Sequence, residues 1–178
     1  MKIVETHIKG LLLIDHSNYK DNRGSFIEVF RSDIIKNFIP YDINFCQDNI
    51  VKSNKYVLRG LHFQKKPYDQ SKLISVISGK IMDVAVDIRK DSETYGKYFS
   101  YVLNDYENRS IFIPKGFAHG YLSLSNNTII KYKVDNYYNP NFEGGISYDD
   151  KHLDINWGVT DDKLIISEKD LKINEYLW

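Results

Sequence analysis

A chain of 178 residues is long enough for one domain with its own core. Lys plus Arg (24) equals Asp plus Glu (24), so no global field draws it to nucleic acid or to an anionic membrane surface, and any anion binding has to come from a local cluster. Fourteen tyrosines, nine phenylalanines and two tryptophans favour β-structure and a cavity lined by rings. The single Cys46 excludes an intrachain disulfide, Leu11 to Ile14 is too short for the apolar region of a signal peptide, and no apolar run approaches a membrane span. A cytoplasmic protein with no membrane partner is expected.

In chain order, Ile8 to Ile14 reads as an early strand, followed by a polar loop from Ser17 to Gly24. Alternation from Ser25 to Phe30 puts Phe26, Glu28 and Phe30 on one face. A glutamate between two phenylalanines suits a ligand or a partner subunit, or else a solvated edge strand. Ser32 can N-cap a short helix through Phe38, which Pro40 follows. From Phe45 to Ile50, Gln47, Asp48 and Asn49 interrupt an apolar setting; they are turn formers, but Gln47 and Asn49 also share a strand face and can read a base or sugar edge.

The stretch from Tyr56 to Gln64 is a β-branched and aromatic strand with Arg59 and His62 three residues apart. Strict alternation puts these two on opposite faces. A bulge at Gly60 would bring both to one surface, setting a permanent cation beside a group that titrates near neutral pH. After a loop from Lys65 to Gln70, Ser71 to Lys80 reads as a strand and turn. Met82 to Arg89 then alternates, with Met82, Val84, Val86 and Ile88 on one face and Asp83, Ala85, Asp87 and Arg89 on the other, as in a half-buried antiparallel strand.

Ile111 to Ile113 and Thr128 to Val134 add strands, the second with Ile130, Tyr132 and Val134 on a common face; Pro114 to Tyr121 lies between them. Short strands at close spacing, with little helical periodicity, predict an all-β sandwich or barrel with a few short peripheral helices. There is no internal repeat or linker, so one domain is expected over 1–178, with a short helical region after Ser167.

Taken singly, the polar residues have ordinary explanations. Ser167 to Asp170 fits a variant capping box, Tyr132 suits any strand core, Lys72 suits a solvated strand end, and Glu143 precedes a Gly-Gly turn. Their order along the chain says more. Asp21-Asn22-Arg23-Gly24-Ser25-Phe26-Ile27-Glu28, Gln47-Asp48-Asn49, Leu58-Arg59-Gly60-Leu61-His62-Phe63-Gln64, Lys72-Leu73, Asp83 to Arg89, Ile113 to Gly120, and Tyr132-Lys133 run in sequence, and Trp157 and Ser167 to Asp170 complete the pattern. This arrangement closely resembles the dTDP-4-dehydrorhamnose 3,5-epimerase family, sugar-nucleotide epimerases of the cupin-type jelly-roll class.

The resemblance implies a proton acceptor at His62 oriented by Asp170, a proton donor at Tyr132, and a cation at Lys72 facing a keto oxygen. It implies contacts to nucleotide, diphosphate or sugar from Arg23, Glu28, Gln47, Asp48, Asn49, Arg59, His119, Glu143 and Lys169, with Phe26 and Tyr138 as rings near the base. It also implies no cofactor and no metal, a nucleotide-sugar substrate, and a homodimer in which an N-terminal strand segment crosses to the neighbour.

The chemistry fits these residue types. A C4 carbonyl acidifies the hydrogens on C3 and C5 of a hexose, and the barrier then needs a base, a cation at the developing oxyanion, and an acid on the far face. No Gly-x-Gly-x-x-Gly fingerprint follows a strand. Competing readings are an epimerase of one position only, a metal-dependent cupin, and a non-catalytic sugar-binding jelly roll. Pro114 to His119 satisfies half of a metal-cupin signature, but Phe63 and Gln64 follow His62 where a His-x-His pair is needed.

Overall fold

Strand alternation sorts the apolar residues onto three surfaces, and the computed structural model, which describes residues 1–173, shows what covers each. The strands are β1 (Lys2–Glu5), β2 (Leu12–Asp15), β3 (Asn18–Asp21), β4 (Gly24–Ile27), β5 (Gln47–Ser53), β6 (Leu58–Gln64), β7 (Lys72–Ser78), β8 (Lys80–Asp87), β9 (Tyr98–Asn104), β10 (Arg109–Ile113), β11 (Phe117–Ser123), β12 (Thr128–Val134) and β13 (Glu143–Gly145). The short helices α1 (Ser32–Ile35) and α2 (Glu168–Leu171) flank them.

Among the described residues one sheet has the order β1-β2-β10-β7-β12-β5, the second β13-β6-β11-β8-β9, and β3 pairs only with β4 as a separate hairpin. From β6 onward the chain passes repeatedly between the two larger sheets, the jelly-roll pattern that closes two sheets around one interior. Ile74, Val76, Ile81, Ala85, Ile111, Ile113, Phe117, Tyr121 and Ile130 fill that interior. The outer face of the second sheet, with Leu58, Leu61, Val84, Val86 and Leu122, is sealed by Ile146, Leu153 and Trp157 from the C-terminal segment. The outer face of the first, with Leu12, Ile14, Leu73 and Phe112, is sealed by Ile35 and Ile39, with Phe30 and Phe45 packed alongside.

The fold is the expected all-β jelly roll, with several local differences. The early strand begins only at Leu12, because the chain turns at Gly10 (φ +88°), and β1 precedes it. Strand β4 stops at Ile27, so Phe26, Glu28 and Phe30 do not form one face: Phe30 packs edge-on to Phe45 at 5.2 Å, while Phe26 is 67% exposed. Arg31, not Ser32, occupies the N-cap position of α1 and makes no side-chain cap. Strand β8 is buried on both faces rather than one, because it runs between β11 and β9 with the jelly-roll interior on one side and the C-terminal cover on the other. Strand β9 was not anticipated; Phe99, Tyr101 and Leu103 alternate against the interior and are its signal. Of the single domain expected over 1–178, residues 174–178 lie outside the described ones.

The bulge is present. His62 pairs with His119 and Arg59 with Tyr121, so three steps along β6 match two along β11. Gly60 absorbs the extra residue at φ +112°, and a Cβ there would lie 2.6 Å from Gly120 Cα and 2.7 Å from the His119 carbonyl oxygen. Neither backbone atom can yield as a flexible side chain would. Gly60→Ala is therefore expected to lower unfolding stability by about 2 kcal/mol or more, read from urea midpoints; an unchanged midpoint would show that the two strands can separate at no cost.

Candidate active site

The bulge leaves Leu58 and Leu61 on the outer, apolar face of β6 and turns Arg59 and His62 inward. On the opposing sheet, alternation along β5 brings Gln47 and Asn49 inward and hydrogen-bonds their amides at 3.0 Å, while Asn49 faces Tyr132 across the β5–β12 ladder. Lys72 opens β7 on the same face as the buried Ile74 and Val76. These elements enclose a cavity of about 330 Å³ lined by His62, Lys72, Tyr132, Gln47 and Asn49, with Tyr138 and Glu143 also on its wall.

His62 Nε2 lies 2.8 Å from Asp170 Oδ1. An ionised carboxylate only accepts, so this contact places the imidazole proton on Nε2 and leaves Nδ1 as the basic nitrogen. Asp170 combines both readings of its segment. Its amide donates to the Ser167 hydroxyl, the cap of α2, while its carboxylate turns away to His62 and to the Gly60 amide at 3.3 Å. Burial works against its ionised form, but the hydrogen bond from His62 and the charge of the imidazolium outweigh that, and its pKa falls below the ordinary carboxylate range.

The other cavity groups are also tuned. Burial pulls the Lys72 ammonium down to about 8, opposed by the charges of Asp83 and Glu143. Burial raises the Tyr132 phenol, opposed by the Arg59 guanidinium, so it stays protonated near neutral pH. Glu143 accepts from Lys169 Nζ at 2.6 Å and from the Tyr138 hydroxyl at 2.7 Å. Those bonds overcome its burial and keep it ionised.

Not every candidate reaches this cavity. Arg59 lies one strand-width along, with Nε 3.5 Å from the Ser53 hydroxyl, which is itself 2.9 Å from the Tyr121 hydroxyl. His119, opposite His62 in register, is held by Asp83 at 2.8 Å. Asp48 points outward from β5 into ion pairs with Lys133 and Lys131 at 2.8 and 3.1 Å, away from Gln47 and Asn49. Arg23 and Phe26 sit on the exposed β3–β4 hairpin and Glu28 just beyond it; Arg23 is taken up by Asp21 at 2.6 Å. Sequence reasoning missed Gln64 and Gln70, which line the cavity, and Asp83, which stands behind it. For Asp83 the available signal was its place in register with Ala85 on an alternating strand, a carboxylate where an interior aliphatic belongs. Among the described residues, no three His, Cys, Asp or Glu side chains converge as a metal site.

A jelly roll whose interior opens into a cavity holding a histidine–carboxylate pair, a buried ammonium and a phenol is a cupin-type acid–base enzyme in architecture. The chain belongs to the dTDP-4-dehydrorhamnose 3,5-epimerase family, whose model matches residues 5–176. It is 45% identical over 171 residues to the dTDP-4-dehydrorhamnose 3,5-epimerase of Methanothermobacter thermautotrophicus, covering 95% of this chain and 91% of that one. The crystal structure of the Bacillus anthracis enzyme with TDP and PPi bound superposes with a TM-score of 0.92 at 40% identity, over 97% of this chain and 98% of the other. The Legionella pneumophila 3,5-epimerase in complex with dTDP-4-keto-L-rhamnose gives 0.91 at 40% identity, over 97% and 90%.

The depressed Asp170 pKa has a thermodynamic consequence. A carboxyl lowered in the folded state adds stability above its unfolded pKa and loses it as pH falls through the folded value. Asp170→Asn should therefore be less stable than the unsubstituted protein near neutral pH, and the gap should narrow below about pH 4. Denaturant unfolding at several pH values checks this; a gap constant down to about pH 2 would contradict it.

Proposed function

We propose that this chain converts dTDP-4-dehydro-6-deoxyglucose to dTDP-4-dehydrorhamnose, inverting C3 and C5, as a step toward dTDP-rhamnose and surface polysaccharide. The observation that carries the reading is the meeting of the His62–Asp170 pair, Lys72 and Tyr132 in one cavity of a 3,5-epimerase family member. The TDP and the keto sugar nucleotide bound by its relatives support the substrate class.

His62 Nδ1 takes the proton from the carbon next to the C4 carbonyl. The C–H electron pair delocalises onto the C4 oxygen as an enolate, which the Lys72 ammonium stabilises in a site drier than water. Tyr132 returns a proton to the opposite face, and reprotonation re-forms the carbonyl with the centre inverted. No electrons leave the sugar, so the balance closes without an oxidant or reductant. C3 and C5 flank the same carbonyl, and one cation therefore serves both. Asp170 steadies the imidazolium, Arg59 grips the diphosphate, and Gln47, Asn49, His119, Glu143 and Lys169 hold the sugar and nucleotide, with Tyr138 against the base.

Arg23, Phe26 and Glu28 join the site in a homodimer, where the β3–β4 hairpin of one subunit reaches the other. What supports this is a hairpin that, among the described residues, pairs with no third strand and carries exposed Phe26 opposite exposed Tyr19.

Replacing the base and the acid separates their roles. His62→Asn should lower kcat roughly a thousandfold with dTDP affinity nearly unchanged. Tyr132→Phe should still admit solvent deuterium into the starting sugar while forming inverted product roughly a hundredfold more slowly. Since Lys72 is charged only below about 8, kcat/KM should fall on the alkaline side as its proton leaves. Unchanged turnover in His62→Asn would sink the assignment.

A further inference from the structure

Two aspartates four residues apart on one face of β8, both 0% exposed, are treated very differently by their surroundings. Asp87 is saturated: it accepts from the backbone amide, Nε and Nη2 of Arg89 and from the hydroxyls of Ser92 and Thr94. It is a clamp for the turn after the strand. Among the described residues Asp83 has one hydrogen bond, accepted by Oδ2 from His119 Nε2 at 2.8 Å, and its Oδ1 has no hydrogen-bond partner. A sealed carboxylate oxygen without a donor is costly, and a fold that satisfies Asp87 so fully has the means to satisfy another. Among the described residues His16, Asn18 and Asp135 also bury one such atom, so a reason particular to Asp83 has to be sought elsewhere than in the missing bond.

Its position supplies one. His119 stands directly opposite His62 across the β6–β11 ladder, so the interior holds two histidine–carboxylate pairs side by side, one built on Asp170 and one on Asp83. Asp83 does not line the cavity, but Lys72 does, and Asp83 is the leading charge that offsets the burial of that ammonium, ahead of Glu143. Glu143 is already engaged by Lys169 and Tyr138. The other titratable groups on the cavity wall, among the described residues, are His62 from β6, Tyr132 from β12 and Tyr138 beyond it; Asp135, which accepts from the Ser71 amide, is paired with Lys115 at 3.4 Å.

We propose that Asp83 is a positioning residue of this active site, fixing the ring of His119 through Oδ2 and keeping the Lys72 ammonium charged through the carboxylate charge it buries in the same interior. The inference rests on the reading of Lys72 as the cation at the developing oxyanion. It makes Asp83 the buried anion that lets a lysine work from inside an apolar barrel.

Asp83→Asn removes the charge at nearly constant shape. The alkaline limb of the kcat–pH profile should move to lower pH by about one unit or more, with turnover near neutral pH reduced about tenfold and dTDP affinity within about threefold. An unshifted limb, whether or not the rate falls, would overturn the proposal, because a merely structural aspartate changes rate without moving that limb. In a Lys72→Arg background no lysine ammonium titrates and any alkaline limb that remains belongs to Tyr132, so adding Asp83→Asn should leave that limb in place; a limb that still moves would also overturn the proposal. If Asp83→Asn does not fold, the imidazole nitrogen shifts of His119 in the unsubstituted protein decide: Nε2 is expected to carry a proton, and a ring with its proton on Nδ1 alone would refute the pairing. Full turnover in Lys72→Ala would instead bring down the reading of Lys72. An inactive Lys72→Ala alongside an unaltered Asp83→Asn profile would bring down only the role of Asp83.

Discussion

Backbone crowding between β6 and β11 governs where everything reactive ends up. A Cβ on Gly60 would meet Gly120 Cα at 2.6 Å, and a Cβ on Gly120 would meet the Arg59 carbonyl oxygen at the same distance, so the two strands approach this closely only because both positions are glycine. The extra residue accommodated at Gly60 shifts the register between Arg59 and His62. Without that shift, the strand period of two would send one of them to the apolar outer face, among Leu58 and Leu61. With it, Arg59, His62 and His119 all face inward, and the Gly60 amide itself donates to Asp170. One steric constraint thus fixes the His62 imidazole, orders the Asp170 carboxylate and sets the neighbouring guanidinium.

The interior that receives these groups is otherwise aliphatic and aromatic, which makes each charge expensive and therefore strongly coupled to its neighbours. Asp170 stays ionised because His62, the Gly60 amide and the Ser167 cap compensate its burial; Glu143 stays ionised because Lys169 and Tyr138 do. Lys72 is the group that burial moves furthest toward neutrality, to about 8. A cation close to losing its proton is well matched to an enolate oxygen, since the two share charge most effectively when their proton affinities approach each other. On the proposed mechanism, the same desolvation that threatens the ammonium makes it useful, provided that an anion stands behind it.

Much of this was legible in the chain itself. Period-two alternation located β12 at its observed bounds, and the paired inward placement of Gln47 and Asn49 follows from the same rule. The glycine between Arg59 and His62 pointed to a bulge because glycine weakens a strand interior and is placed there for a bulge, a bend or a close backbone approach. What alternation could not supply was whether a strand lies at an edge or in the middle of a sheet. For β8, that meant the polar face was read as solvated when it is sealed, and the meaning of Asp83 was lost with it. Asp48 fails for the complementary reason: its neighbours Gln47 and Asn49 belong to the cavity, but one residue of strand turns it to the surface lysines. The separation of Arg23, Phe26 and Glu28 from the cavity is likewise invisible in sequence order, since it depends on where a hairpin projects rather than on its residues.

The central claim is that one cavity, through a single enolate chemistry, exchanges the protons on both carbons flanking a sugar ketone. Proton NMR of dTDP-4-dehydro-6-deoxyglucose incubated with the protein in D2O addresses it directly. The account predicts deuterium at both C3 and C5 of the product, each with inverted configuration. A bound nucleotide sugar with no label at either carbon would contradict it.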